Sequence, residues 1–323
     1  MKIEIHPPLS IYELGQRDNQ EDYLWPDSPQ EKSNNLFILC DGMGGHEHGE
    51  VASRLVCVSI PHFLRKAYLL ENCALTDDDL KTSLEYAYQQ LDLKGNEGLK
   101  KMGTTLTLLH LGHNGVTALH MGDSRIYHIR PNSSPTGEGK EGAVLYQSRD
   151  HSLVFDLYQA GEITFEEMET FPQKNIITRA MQPGEENRMR PDIVHITDVQ
   201  PGDYFYMCSD GMLEQMTNKE LAALLSSDIS DEEKRNQLIK ATANNKDNHS
   251  AWLIHVKYVI NEDGDDKLVN EEPTSRCNAI NILPKVATTT EEDDVVIVHK
   301  EEKAKSFLQR FNEVFKNNKK SEI

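Results

Sequence analysis

The sequence predicts an α+β fold in which helices pack on antiparallel sheet to make a layered sandwich. Three observations carry this. The apolar β-type runs TLTLLHL (105–111), VTALHM (116–121) and RIYHIR (125–130) are joined by turns too short for helical crossovers, so they must pair as an antiparallel meander. Two stretches nearer the N-terminus have helical rather than strand periodicity. The 323 residues, 37% of them apolar, allow one or two domains with a sizeable core, and no run approaches the roughly 18 apolar residues of a membrane span.

In chain order, LFILC (36–40) reads as a buried strand ending in a Gly-rich turn. A first helix covers about 50–60, with Ala52, Leu55, Val56 and Ile60 on one face. Pro61 is expected to kink or end it, because proline lacks the donor a helix interior needs. A second helix places Leu80, Leu84, Ala87 and Leu91 on one stripe, with Thr76 and Asp79 as a capping box and Gly95 as the stop. The meander follows, turning through Gly122-Asp123-Ser124, and IVHIT (193–197), YFYMC (204–208) and WLIHVKYV (252–259) are the remaining strands. Trp25 and Trp252 are assigned to the core, and Thr104-Thr105 to strand structure.

Residues 261–302 carry twelve acidic and four basic side chains and few large apolar ones, which describes a mostly disordered acidic linker. In 303–323 the balance reverses, and Phe307, Leu308, Phe311, Val314 and Phe315 follow helical spacing. That describes a basic amphipathic helix, either docked on the chain's own body or, through 303–320, meeting a partner or an anionic surface.

The formal charge of -19 argues against a nucleic-acid binder, which needs Lys and Arg to neutralise phosphates. The N-terminus has no apolar stretch of the signal-peptide kind. Five cysteines form no CxxC pair, and Cys40 and Cys208 sit in apolar runs where a thiol behaves as a small hydrophobe. Zinc and disulfides are therefore not expected, and a reducing cytoplasm is.

Four acidic motifs fall at strand ends or in turns beside Gly or Asn: Glu21-Asp22, Asp41-Gly42, Asp210-Gly211 and Asp247-Asn248. Singly each is ordinary turn chemistry. Together they are different, because a carboxylate at the rim of a core as apolar as FILC or YFYM is costly unless paired, and several converging rims require cations. All-oxygen ligands suit Mg²⁺ or Mn²⁺, and two such ions about 3.5–4 Å apart can clamp an in-line phosphoryl transfer. Arg17 supplies a planar fork that matches phosphate oxygens.

The residues R-D-N-Q-E-D (17–22), D-G-M-G-G-H-x-x-G-E-x-A-S (41–53), G-T-T-L (103–106), G-D-S-R (122–125), R-D-H-S-L-V (149–154), I-T-R-A-M (177–181), P-G-D-Y-F-Y-M-C-S-D-G (201–211) and D-N (247–248) resemble the metal-dependent type 2C Ser/Thr protein phosphatases, over roughly 8–260 and in matching order. The stretch from His151 to Arg179 is most similar to the bacterial branch, where it forms a mobile flap beside the active site. The resemblance implies a four-layer α-β-β-α sandwich, two antiparallel sheets flanked by helices, as a catalytic domain over 1–260 with its flap at about 152–176. It implies that Asp41 bridges two ions, that Asp210 and Asp247 complete one site, and that Glu21 and the Gly42 carbonyl serve the other with Asp22 alongside. Asp123, with Asp210, matches a third, weaker site, and Arg17 matches the phosphate-binding arginine.

The implied reaction is hydrolysis of phosphoserine or phosphothreonine in proteins by metal-bound hydroxide, without a phosphoenzyme, in a cytoplasmic monomer that opposes a Ser/Thr kinase and acts on its targets. The alternatives are a catalytically silent phosphatase-like binding module and a phosphatase of an anti-sigma-factor antagonist. Two departures stand out. Met43 replaces the histidine that many eukaryotic members use as proton donor, leaving His46 or metal-bound water for that role. The loop Asn244-Asn-Lys-Asp-Asn-His-Ser keeps Asp247 but lacks both customary glycines. His151 is read as an orienting or loop-fixing group.

Overall fold

The structure, a computed structural model, describes residues 1–260 except 28–34, 44–47, 68–74, 100–101, 132–141, 170 and 173–175. The linker (261–302), the terminal helix (303–323) and His46 lie outside the described residues.

Strands β1 (Lys2–Ile5) and β2 (Leu9–Glu13) open the chain, followed by β3 (Asp22–Trp25) and β4 (Leu36–Met43). Helices α1 (His48–Ala67) and α2 (Asp77–Asn96) come next, then β5 (Gly103–Thr104), β6 (Leu106–Gly112), β7 (Gly115–Met121), β8 (Arg125–Arg130) and β9 (Ala143–Gln147). Two short helices, α3 (Leu153–Gln159) and α4 (Phe165–Glu169), precede β10 (Asp192–Ile196) and β11 (Tyr204–Cys208), and α5 (Asn218–Leu225), α6 (Asp231–Thr242) and β12 (His249–Ile260) complete the order. One sheet runs β1-β12-β11-β8-β9 with β2 also on β12; the other runs β10-β7-β6-β4-β3 with β5 on β4. Each pairing is antiparallel.

Strand alternation sorts the apolar residues into three layers of core. Phe37, Leu39, Leu109, Val116, Phe205, Met207, Trp252 and Ile254 fill the space between the sheets. Ile38, Cys40, Leu108 and Leu119 point the other way, onto Val56, Ile60, Leu84 and Leu91 of α1 and α2. Tyr204, Tyr206, Ala251 and Leu253 face Leu221, Leu225 and Leu238 of α5 and α6. This is the expected four-layer sandwich.

Several expectations need correction. The helix begun near residue 50 does not stop at Pro61 but runs to Ala67. Proline costs an interior helix about 3 kcal/mol; Ile60 and Leu64, buried on either side of it in the same core, offset that locally. Gly95 does not stop α2, which ends one residue later at Asn96. It is buried against Pro183, whose Cβ would stand 2.8 Å from an added Cβ, so its role is close packing. The Thr76/Asp79 capping box is as expected. The meander holds for β6 and β7 but breaks afterwards: β7 pairs with β10, whereas β8 pairs with β11 and β9 in the other sheet. The chain crosses between sheets at Gly122, whose φ of 115° lies in the left-handed half open to glycine.

Candidate metal centre

The same alternation that sorts the core delivers the carboxylates. On β4, Phe37 and Leu39 face the opposite sheet, so Asp41, two residues on, faces the same gap at its end. On β3, Leu24 faces that gap and so therefore does Asp22, the register partner of Asp41. The opposite sheet contributes Ser209 in phase with Met207, Ser250 in phase with Trp252, and Ser124 in phase with Ile126. Asp210 opens a 3₁₀ turn (Asp210–Leu213) directly after β11, Asp247 precedes β12, and Asp123 occupies the sheet crossing. Asp41 and Gly42 are therefore not turn residues as expected but the continuation of β4.

A seam of hydroxyls fixes these groups. Ser209 Oγ donates to Asp22 Oδ2 (2.8 Å) and accepts from the Ser250 amide (3.0 Å), tying one sheet to the other. The Asp41 amide donates to Thr105 Oγ1 (2.9 Å), and its carbonyl accepts from Thr104 Oγ1 (2.9 Å) and the Thr105 amide (2.8 Å). Thr105 Oγ1 also meets Ser124 Oγ at 2.8 Å. The backbone of the central aspartate is thus saturated while its carboxylate stays with its neighbours. Sequence reasoning gave the two threonines only strand structure; their place opposite Asp41 depends on β4 pairing with β5, a contact between residues far apart in the chain.

The cluster is electrostatically costly without cations. Burial pushes the Asp22 carboxyl up to about 7, against the Ser209 hydrogen bond that favours its charged form. Burial, then the charge of Asp210, raises Asp123 to about 7. Burial, then Asp247, raises Asp210 to about 6, although Asp41 within hydrogen-bond reach pulls it back. Asp41 stands well above the usual carboxylate range because it is buried and faces Asp22, Asp210, Asp123 and Asp247. Among the described residues, Asp22 Oδ1 and Asp123 Oδ1 are buried without a hydrogen-bond partner. Orphaned buried oxygens beside like charges are what a hard divalent cation satisfies, so the residues fit Mg²⁺ or Mn²⁺.

Glu21 and Gly42 form the outer edge. The Gly42 amide donates to the Glu21 carbonyl (3.0 Å), and a Cβ on Gly42 would lie 2.2 Å from the Gly49 carbonyl oxygen. Gly49, near the start of α1, in turn approaches the Glu21 carboxyl, whose Cδ would be 2.9 Å from an added Cβ. Burial raises the Glu21 carboxyl while Arg17 lowers it. Arg17 itself donates to Asp247 Oδ2 (2.7 Å), a bond that holds the guanidinium's proton more tightly.

The loop that lacks its glycines is held by side chains instead. Asn245 Nδ2 donates to the Gly211 carbonyl (2.6 Å), and the Lys246 and Asp247 amides donate to the Glu214 carboxylate (3.0 and 3.2 Å). Asn248 donates to the Leu14 and Asn19 carbonyls (2.8 and 3.0 Å) and accepts from the Glu21 amide (2.8 Å). Arg17, Glu21, Asp22, Asp41, Gly42, Asp123, Asp210 and Asp247 are thus all brought to one end of the sandwich. Met43 lies in β4 beside Gly103 rather than among the carboxylates.

Known proteins resemble this chain in sequence and in fold. Protein phosphatase 2C is the family that matches, over residues 15–243. The protein phosphatase PhpP of Streptococcus pneumoniae is 33% identical over 246 residues, 72% of this chain and 90% of its own. The serine/threonine phosphatase Stp1 of Staphylococcus aureus superposes with a TM-score of 0.64 at 27% identity, covering 80% of this chain and 98% of its own. The catalytic domain of the serine/threonine protein phosphatase PstP, solved with two manganese ions, does so with a TM-score of 0.63 at 25% identity, covering 79% and 99%. The chain belongs to the protein phosphatase 2C family of metal-dependent serine/threonine protein phosphatases, with its relatives in the bacterial branch.

Proposed function

We propose that this chain removes phosphate from phosphoserine and phosphothreonine in proteins, with two Mg²⁺ or Mn²⁺ ions held by Asp41, Asp210, Asp247, Glu21, Asp22 and the Gly42 carbonyl, and a third at Asp123 and Asp210. The observation that carries this is the convergence of Asp22, Asp41, Asp123, Asp210 and Asp247 at one end of the intersheet gap, with one oxygen each of Asp22 and Asp123 orphaned among the described residues. When bound, the ions supply the Lewis acidity that activates water at neutral pH and charge that offsets the phosphate. The chain's own residues do the rest. Thr104 and Thr105 hold the Asp41 backbone rigid, so its carboxylate keeps one position. Arg17, on a loop and more than half exposed, receives the phosphate oxygens by giving up its bond to Asp247. Met43 has no proton to give, which leaves leaving-group protonation to water or to His46.

The substrates are phosphorylated proteins, targets of an opposing Ser/Thr kinase, and the enzyme acts as a cytoplasmic monomer. No helix among the described residues is long and apolar enough to cross a membrane. Residues 1–260 make the catalytic unit, 152–176 the flap beside it, 261–302 a spacer, and 303–323 a basic helix that docks on the body or, through 303–320, meets a partner or an anionic surface. The decisive experiment is hydrolysis of a phosphothreonine peptide by purified protein with Mn²⁺. Turnover that vanishes in Asp41→Asn supports the reading; a folded wild-type protein that stays silent with millimolar Mn²⁺ between about pH 7 and 9 overturns it.

A further inference from the structure

Beside the carboxylates, His120, His151 and Asp192 bring three ligand-type atoms within 4.8 Å of one another. A transition metal is the obvious occupant, but the hydrogen bonding of His151 argues against it. The Gly122 amide donates to His151 Nδ1 (3.1 Å), so that nitrogen presents a lone pair and the ring proton sits on Nε2. A ring ligating metal through Nε2 would carry its proton on Nδ1, aimed at another N–H. The arrangement is instead that of an oriented histidine: Nε2–H donates to Asp192 Oδ2 (3.2 Å), while Arg179 Nη1, 3.3 Å from the same Nε2, donates to Asp192 Oδ1 (3.1 Å).

What His151 holds is the crossing between the sheets. Its side chain accepts from the Gly122 amide, and its own amide donates to the Gly122 carbonyl (2.8 Å), so one residue takes both polar groups of the glycine that precedes Asp123. Its carbonyl accepts from the Thr178 amide (2.8 Å), and next to it Ser152 bridges Ile177, closing the base of the 152–176 segment. The ring is 2% exposed and packs against His120, with centroids 4.6 Å apart. Asp192 begins β10, which pairs with β7, so the orienting carboxylate belongs to the sheet while His151 belongs to the segment's root.

We propose that His151 is a positioning residue that fixes the Gly122-Asp123 peptide and so the Asp123 carboxylate, with Asp192 orienting the ring, making the base of the 152–176 segment and the Asp123 site one mechanical unit. This rests on the reading of Asp123 as a metal ligand. It differs from a packing role in what rescues it. Asn places Oδ1 where His places Nδ1 and restores an acceptor for Gly122, whereas Leu fills the space without one.

The test compares H151N, H151L and D192A in the full chain. Amide hydrogen exchange at Gly122, Mn²⁺ titration by calorimetry and phosphopeptide kinetics are measured on each. H151L is expected to lose Gly122 protection, to weaken the Mn²⁺ step that is also lost in D123N by about tenfold or more, and to lower kcat with little change in KM. H151N is expected to regain the protection and most of the Mn²⁺ step, and D192A to fall between. Equal behaviour of H151N and H151L would overturn the proposal, as would wild-type exchange and titration in H151L. The exchange and titration arms read out without turnover, so a protein that proves inactive leaves them decisive.

Discussion

Asp22 offers a direct measure of what the carboxylate cluster costs the fold. It is 1% exposed, pairs in register with Asp41, and has one oxygen on Ser209 and the other unpartnered among the described residues. Its folded value of about 7 lies above the ordinary 3.8. A carboxyl raised in this way is neutral in both folded and unfolded states below about pH 4, so no stability is lost there; the loss accrues between about pH 4 and 7, where only the folded state keeps the proton, and is complete above that. A shift of roughly three units corresponds to at most about 4 kcal/mol, and protons shared among neighbouring carboxyls reduce it. Asp22→Asn keeps the oxygen that accepts from Ser209 and replaces the orphaned one with an amide, whose own burial returns on the order of 1 kcal/mol. The metal-free variant should therefore gain about 1–3 kcal/mol at pH 8. For a domain of this size that is a melting point higher by roughly 3–10 °C. Thermal melts in EDTA at about pH 8 and 4 test this, with the gap expected at pH 8 and closed at pH 4. With saturating Mn²⁺ the order should narrow or reverse, because wild type then gains more from the cation. A variant that melts no higher than wild type in EDTA at pH 8, or by the same margin at both pH values, would refute the account of Asp22 as a buried charge awaiting a partner.

Gly42→Ala should be more damaging than a methyl group suggests. Its Cβ would sit 2.2 Å from the Gly49 carbonyl oxygen and 2.7 Å from that of Glu21. Both are backbone, so β4 and the start of α1 must part; a loss of about 2–4 kcal/mol and weaker Mn²⁺ binding are expected by denaturant titration and calorimetry. Deleting 300–323 should leave the melting point of the body unchanged and remove binding to anionic vesicles, if the basic helix is a surface contact; a lowered melt with vesicle binding retained would instead mean that the helix docks on the body.

Asp41 and Asp210 were legible in the sequence because each follows a strongly apolar run, whereas Glu21, Asp22, Asp123 and Asp247 stood out through turn chemistry and the family motifs; on β4 the two-residue period carries inward-facing apolar side chains directly into an inward-facing Asp. Asp41 after Phe37 and Leu39 is the clearest case. The central strands were legible for the same reason. The crossing at Gly122 was not, since a short turn between two β-type runs reads as a hairpin unless the partners of both are known, and those partners, β10 and β11, arrive much later in the chain. Helices α5 and α6 were missed although Thr217 with Glu220, and Ser230 with Glu233, carried the signal of an N-terminal cap. Pro61 misled for a general reason: a local rule about hydrogen bonds gives way when the flanking turns are both buried. The threonines behind Asp41 and the histidine behind Gly122 act through tertiary contacts that no local pattern encodes.

The position of β12 has a bearing on how the protein is made. Strands β1 and β2 precede every other described strand, yet among the described residues each pairs only with β12, the last of them. During synthesis the helix pair α1–α2 and strands β3 to β7 of its sheet can assemble from contiguous chain, but the second sheet must wait with its opening strands unsatisfied until residues beyond 249 emerge. Asp247 arrives in the same final stretch. A polypeptide stalled before that point therefore exposes β1 and β2 without their partner strand and lacks Asp247, so the carboxylate cluster is completed only as β12 is added.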